Sequence, residues 1–116
     1  MSALAAAIAA AVALGAHAPS CDPSTANCET ATGTIVYVER IDPDGDGDAH
    51  FVLSGPDGIT APRLSVIDVE RELRPDPLPG PGDLISAAGP VYTGSYGQRQ
   101  IQATALRSAR IRRAAR

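Results

Sequence analysis

Between Pro81 and Leu106 the chain sets Gly82-Asp83 at the head of a strand-like run, interrupts it with Gly89, Gly94 and Gly97, and resumes alternation from Ile101. Glycine inside a strand pattern marks a bulge, a corner or a close approach of two backbones. The spacing therefore predicts two adjacent strands of a sheet that coils strongly, not a flat hairpin. The whole chain is punctuated in the same way, with 11 Gly and 10 Pro in 116 residues. Turns this frequent suit short strands better than long helices. At this length the chain builds one domain around one modest core. With one Phe, three Tyr and no Trp, valine and isoleucine must fill that core.

Ala3 to Leu14 is a continuous apolar run, followed by Gly15 and then Ala16-His17-Ala18. This small-x-small pattern predicts a signal peptide over residues 1–18, cleaved after Ala18, and a secreted product. The alternative is a chain tethered to a membrane by an uncleaved N-terminal segment. A stable membrane span is not expected, because the run is shorter than the roughly 20 apolar residues a spanning helix needs. Cys21 and Cys28 follow closely, separated by a turn-rich loop. Two cysteines in an exported chain predict one local disulfide, and their spacing is not that of a thiol oxidoreductase. The disulfide is expected to pin an N-terminal arm, residues 19–32, against the domain that follows.

Gly33 to Ile41 reads as the first strand, with Ile35, Tyr37 and Glu39 on one face and Val36, Val38 and Arg40 on the other. The loop from Asp42 to Asp48 breaks the chain, and His50 to Leu53 forms the second strand. Ile59 to Asp68 reads as the third, with Pro62 marking a bulge or an edge. Asp68 to Leu73 predicts one or two helical turns capped by Asp68, with Glu70 near the positive end of the dipole. Pro75, Pro77, Pro79 and Pro81 forbid extending it, and two further strands follow. Ser108 to Arg116 is a basic tail.

Three strands, a helical insert and two more strands is an order that resembles the OB-fold. The likeness is carried by Gly82-Asp83-Leu84-Ile85, Gly89-Pro90-Val91-Tyr92 and Gly97-Gln98-Arg99-Gln100-Ile101, which look like that fold's last strand pair. It implies an all-β, five-stranded Greek-key barrel over residues 33–107, with a short helical insert between strands 3 and 4. It also implies a ligand face on strands 2 and 3 and on the loops joining strands 1 to 2 and 4 to 5. On this chain that face would use Phe51, Arg63, Tyr92, Tyr96 and Arg99. Aromatic platforms beside arginines suit single-stranded nucleic acid or another polyanion.

The charge is divided. Residues 19–98 hold all 13 acids against four arginines, while the remaining six arginines lie from Arg99 onward. An acidic body repels phosphate backbones overall, leaving the tail to contact an anionic surface or to fold back on the body. Asp42, Asp44, Asp46 and Asp48 alternate along a glycine-rich loop, the oxygen-rich donor set that calcium takes. The twelfth position from Asp42 is Leu53, so the loop is not an EF-hand. His50 shares a strand face with Asp48 and would complete a transition-metal site.

A second resemblance is to the thermonuclease branch of OB-folds. Asp46-Gly47-Asp48 is similar to its calcium loop, Arg63 to Asp68 to its arginine-to-aspartate strand, and Ser95 to Arg99 to its second arginine turn. By that resemblance Asp48 and Asp68 would hold calcium while Arg63 and Arg99 neutralise the phosphorane, making the chain a metal-dependent phosphodiesterase. The chain departs from the pattern where the general base belongs: Arg71 stands there, flanked by Glu70 and Glu72. The expectation is a monomeric, non-enzymatic binding module for a polyanion. A degenerate calcium-dependent nuclease and a structural or protein-interaction module of the cell envelope are the alternatives.

Overall fold

The computed structural model describes residues 18–39 and 47–110, and within them strands occupy the segments rich in β-branched and alternating side chains. They are β1 (Cys28–Glu39), β2 (Ala49–Ser54), β3 (Leu64–Val69), β4 (Leu84–Thr93), β5 (Arg99–Gln102) and β6 (Ala105–Ala109). β1 pairs antiparallel with β2, and β2 with β3. β3 lies parallel to β5, β5 is antiparallel to β4, and β4 returns to pair with β1. Five strands thus form a ring, and β6 lies beside β4 outside it.

Phe51, Ile35, Leu53, Ile67, Ile85, Ile101 and Val69 fill the ring and are almost wholly shielded from water. Their burial supplies most of the favourable free energy, at roughly 1.5–3 kcal/mol for each large side chain.

Gly89 shows why the long fourth strand needs glycine. It lies in β4 where the chain passes between partners, and a Cβ there would stand 1.9 Å from the carbonyl oxygen of Gln102. The close backbone approach expected of the Pro81 to Leu106 pattern is real. That segment nevertheless makes three strands, because Ala103 N–H turns to the Asp68 carbonyl and Thr104 N–H to that of Ala88. β5 and β6 are divided at that point, and the first residues of the expected basic tail, Ser108 and Ala109, belong to β6.

Other expectations are corrected. The helical insert is absent among the described residues. Arg71–Leu73 makes a single 3-10 turn, and Glu70, not Asp68, precedes it without a side-chain cap. Asp68 belongs to β3, where its backbone pairs with His50 and Gln102. β3 begins at Leu64 and not at Ile59, since Pro62 has no N–H to donate and Arg63 takes φ 63° in a turn closed by Ala61 and Leu64. β1 begins earlier than expected, at Cys28, and a register shift between Ile35 and Tyr37 interrupts its alternation. Ile35 is buried in consequence, whereas Tyr37 is 56% exposed.

Cys21 and Cys28 are joined by a disulfide. Cys28 opens β1 opposite Pro90, so the bridge ties the preceding loop to the strand that closes the ring. Residues 1–17, 40–46 and 111–116, which contain most of the expected signal segment, Asp42, Asp44 and Asp46, and the end of the basic tail, lie outside the described residues. No helix among the described residues is long and apolar enough to cross a membrane.

Candidate functional site

Strand register places a row of polar side chains on the outward face of the ring. Glu39 of β1 pairs with His50 of β2, and His50 pairs with Asp68 of β3. One step along, Val66 of β3 pairs with Gln100 of β5, and Gln100 with Tyr92 of β4. Residues opposite one another in a ladder share a face, so the two rows lie side by side.

Within them the side chains connect. Tyr92 Oη donates to Asp68 Oδ2 at 2.5 Å, and Gln100 Nε2 donates to Tyr92 Oη at 2.7 Å. Gln98 Nε2 donates to Gln100 Oε1 at 3.0 Å, and Gln98 Oε1 accepts from Tyr96 N–H. On the other side His50 Nε2 stands 3.2 Å from Asp68 Oδ1, and His50 Nδ1 stands 3.4 Å from Glu39 Oε2. The Oδ1 contact is an ion pair without hydrogen-bond alignment. One chain of contacts therefore runs from Glu39 to the β4–β5 turn.

Asp68 is the centre of this chain, and it is only 4% exposed. Burial pushes its carboxyl upward, but His50, Tyr92 and Asp48 outweigh burial and hold it below the usual carboxylate range. His50 is pushed up to about 9, first by its contact with Asp68 and then by Glu39, against the opposing effect of burial. Tyr92 is pushed up to about 12 by burial and by the carboxylate it donates to. At neutral pH the group therefore comprises an imidazolium, ionised Asp68 and a neutral phenol.

The expected ligand residues are not brought together. Phe51 is 0% exposed in the core and offers no stacking surface. Its strand alternates, and the inward parity belongs to Ala49, Phe51 and Leu53. Tyr92, at 38% exposure, lies on the outward face, and Tyr96, at 92%, projects from the β4–β5 turn. Arg99 pairs with Thr93, one step out of phase with the Tyr92–Gln100 pair, and lines a shallow depression of about 350 Å³ with Asn27, Glu29, Val91, Tyr92 and Thr93. Arg63 is exposed in the β2–β3 turn.

Asp48 bears on Asp68, and protein groups engage both oxygens of Asp68. The Arg71 guanidinium packs against Gly47 at the end of the acidic loop. No group of three His, Cys, Asp or Glu among the described residues is arranged to hold a metal ion.

Glu39, Gln98 and Gln100 are not among the expected site residues, and the sequence expectation for Asp68 is a calcium ligand or a helix cap. Their signals are present in the sequence. Asp68 is a lone carboxylate inside the apolar run Val66-Ile67-Asp68-Val69, and Gln98, Gln100 and Gln102 alternate from the turn after Tyr96 into β5. A carboxylate buried in a strand must find donors, and alternating amides supply them.

The chain matches no protein-family model and no curated protein sequence.

Proposed function

We propose that the chain is an exported, non-catalytic binding module of OB-fold type, taking an uncharged polar ligand, a glycan segment, on the outward face of β1, β2, β3, β5 and β4. The strand order supports this fold assignment, since the ring runs β1-β2-β3-β5-β4 and closes through β1–β4 with β3 and β5 parallel. The disulfide supports export.

The observation that carries the ligand class is the character of the outward face. All three tyrosines of the chain, Tyr37, Tyr92 and Tyr96, are exposed, and beside Tyr96 and Tyr92 the half-buried Gln98 amide is held by Gln100, itself buried beneath it. Tyrosine offers an apolar ring with a polar tip at low entropic cost, and fixed amides select hydroxyl-bearing ligands. Glu39 and Asp68 outnumber the one imidazolium on this face, which disfavours a polyanion.

A nucleic-acid reading is second, and the placement of Arg99 beside Tyr92 in the shallow depression favours it. Metal-assisted cleavage finds less support, because Asp68 has its oxygens engaged and Arg71 occupies the position of the base.

Backbone NMR titration with neutral hexasaccharides, cellohexaose and chitohexaose, tests the reading. Shifts centred on Tyr37, Tyr92, Gln98 and Gln100, and insensitive to salt, are expected. Shifts produced instead by oligothymidylate at Arg99 and Tyr92, and suppressed by salt, would move the assignment to nucleic acid. No response to either class would remove this face as a ligand site.

A further inference from the structure

The inward alternation of the strands continues past the core. Ala31 of β1 and Ile101 of β5 belong to the core, and Val91 of β4 packs against it. Successive residues of a strand alternate between faces. Glu29, Arg99 and Thr93 each lie two residues from one of these positions with no register shift between, so they carry the same inward parity. They stand at the open end of the ring, where with Asn27, Val91 and Tyr92 they line the depression of about 350 Å³. The mouth of a β-barrel is a favoured place for a small ligand, and pockets start at roughly 300 Å³.

The two charges at this mouth are opposite. Among the described residues neither Glu29 nor Arg99 forms an ion pair, with the other or with a third group. Glu29 lies opposite Gly89 and Arg99 opposite Thr93, on the two sides of β4. Those levels are offset by roughly 13 Å of strand at the usual rise. The wall between them is held in place, because the Asn27 carbonyl accepts the Val91 N–H beside the Cys21–Cys28 disulfide. A preformed wall lowers the ordering cost of binding.

A polyanion meets Glu29 at this mouth, and a cation meets Arg99, so either alone is opposed by one of the two. A ligand carrying both charges, set apart along its length, satisfies the two together.

We propose that the mouth of the ring binds a short zwitterionic peptide of two or three residues, its terminal carboxylate on the Arg99 guanidinium and its terminal ammonium on Glu29. The guanidinium fork offers a carboxylate two parallel N–H donors. Small side chains of the peptide lie over Val91. A single α-amino acid carries its charges on one carbon and cannot reach both groups across the offset. The site has the inward parity and is separate from the outward glycan face, with Tyr92 at the border of the two.

The test is a titration of the full, isotopically labelled chain with trialanine, N-acetyl-trialanine and trialanine amide, followed by backbone NMR. Trialanine is expected to shift the amides of Asn27, Glu29, Thr93 and Arg99, and each blocked form should bind about two- to fivefold more weakly. Glu29→Gln should abolish the preference over the acetylated peptide while keeping that over the amide, and Arg99→Gln should do the reverse. Both side chains are exposed, so neither change removes a core contact. Equal affinity for the three forms, no shift at the mouth, or free alanine binding as tightly as trialanine would overturn the proposal. Oligothymidylate shifting the Arg99 amide where trialanine does not would overturn it in favour of nucleic acid. The neutral hexasaccharides act at Tyr37, Gln98 and Gln100, so failure of the glycan reading and failure at the mouth are distinguishable.

Discussion

Tyr92 and Asp68, 24 residues apart in sequence and on strands that do not pair with each other, meet through a 2.5 Å hydrogen bond from phenol to carboxylate. β5 lies between their strands and contributes Gln100, whose amide donates to the same phenolic oxygen. The bond therefore spans the parallel β3–β5 junction, where the chain has only three residue pairs to hold the ring together. On the opposite side His50 extends the contact to β1 through Glu39. All five ring strands contribute a side chain to this row.

Removing the Tyr92 hydroxyl leaves Asp68 Oδ2 and the Gln100 amide without that partner in a site where Asp68 is already shielded from water. Tyr92→Phe is thus expected to cost about 1–3 kcal/mol, the penalty for stranding a buried polar group. The Asp68 carboxyl should also titrate higher, since one of the contacts lowering it is gone. Urea unfolding reads the first effect and carboxyl-carbon NMR the second. A stable Tyr92→Phe with unchanged Asp68 titration would show the contact to be idle.

Stability should fall on the alkaline side as His50 loses its proton. Folded His50 keeps its proton to about pH 9, whereas the unfolded side chain releases it near 6.5. Its contribution is therefore complete below about pH 6.5 and is lost as pH rises to about 9. Asp68 behaves oppositely. Its folded value is lowered, so its contribution is complete above the usual value near 3.8 and disappears as pH falls through the folded value. Urea midpoints should form a plateau from about pH 4 to 6.5 and decline toward pH 9. His50→Gln should flatten the alkaline decline and weaken the acid limb as well, since His50 is the leading contact that lowers the Asp68 carboxyl.

What the sequence made legible was local, and what it concealed depended on a register or on a partner from elsewhere in the chain. The alternation in His50 to Leu53, the glycine at position 89 and the pair Cys21 and Cys28 each carry their own physical signal, and the structure places them accordingly. Tyr37 was expected to share a face with Ile35, but one extra residue in β1 rotates everything after it to the other side. Nothing in Ile35-Val36-Tyr37 announces that bulge, because Val36 suits either face. The expectation of Phe51 as a ligand residue rests on its being an aromatic on a strand of the expected ligand face, where it suits stacking. Only the packing of five strands around it shows that it is the largest fully buried side chain. Asp68 illustrates the third kind of concealment. Aspartate before Val69-Glu70-Arg71 looks like a helix cap, and its actual partners, His50 and Tyr92, lie 18 residues earlier and 24 later.

Gly89 and Gly97 separate two reasons for glycine. At Gly89 the obstacle is backbone, the Gln102 carbonyl, which cannot rotate away. Gly89→Ala is expected to cost about 3 kcal/mol or more and to disturb amides of β4 and β5 together. Gly97 has open space around it but sits at φ 81°, so Gly97→Ala should cost only the conformational penalty of roughly 1–2 kcal/mol. Thermal unfolding of the pair gives the order. Equal losses would mean that strand crossing at Gly89 relaxes more easily than the contact with Gln102 allows.

The disulfide should stabilise the chain modestly, and its effect should be local. Cys21 and Cys28 are seven residues apart, so closing their loop removes little freedom from the unfolded chain, worth about 2 kcal/mol in the entropy account. Inside the folded protein the bridge holds Asn27 at φ 55°, from which its carbonyl accepts the Val91 N–H where β4 turns from β1 toward β5. The double variant Cys21→Ser with Cys28→Ser should accordingly lose about 2 kcal/mol in urea, with an unchanged dependence on denaturant. Amide shifts should concentrate at Asn27, Pro90-flanking positions and the Arg99 depression, with β2 and its pairing to β3 unaffected. A loss spread evenly over all strands would instead make the bridge a condition of ring closure, since β1 and β4 meet at Cys28 and Pro90 where the ring is joined.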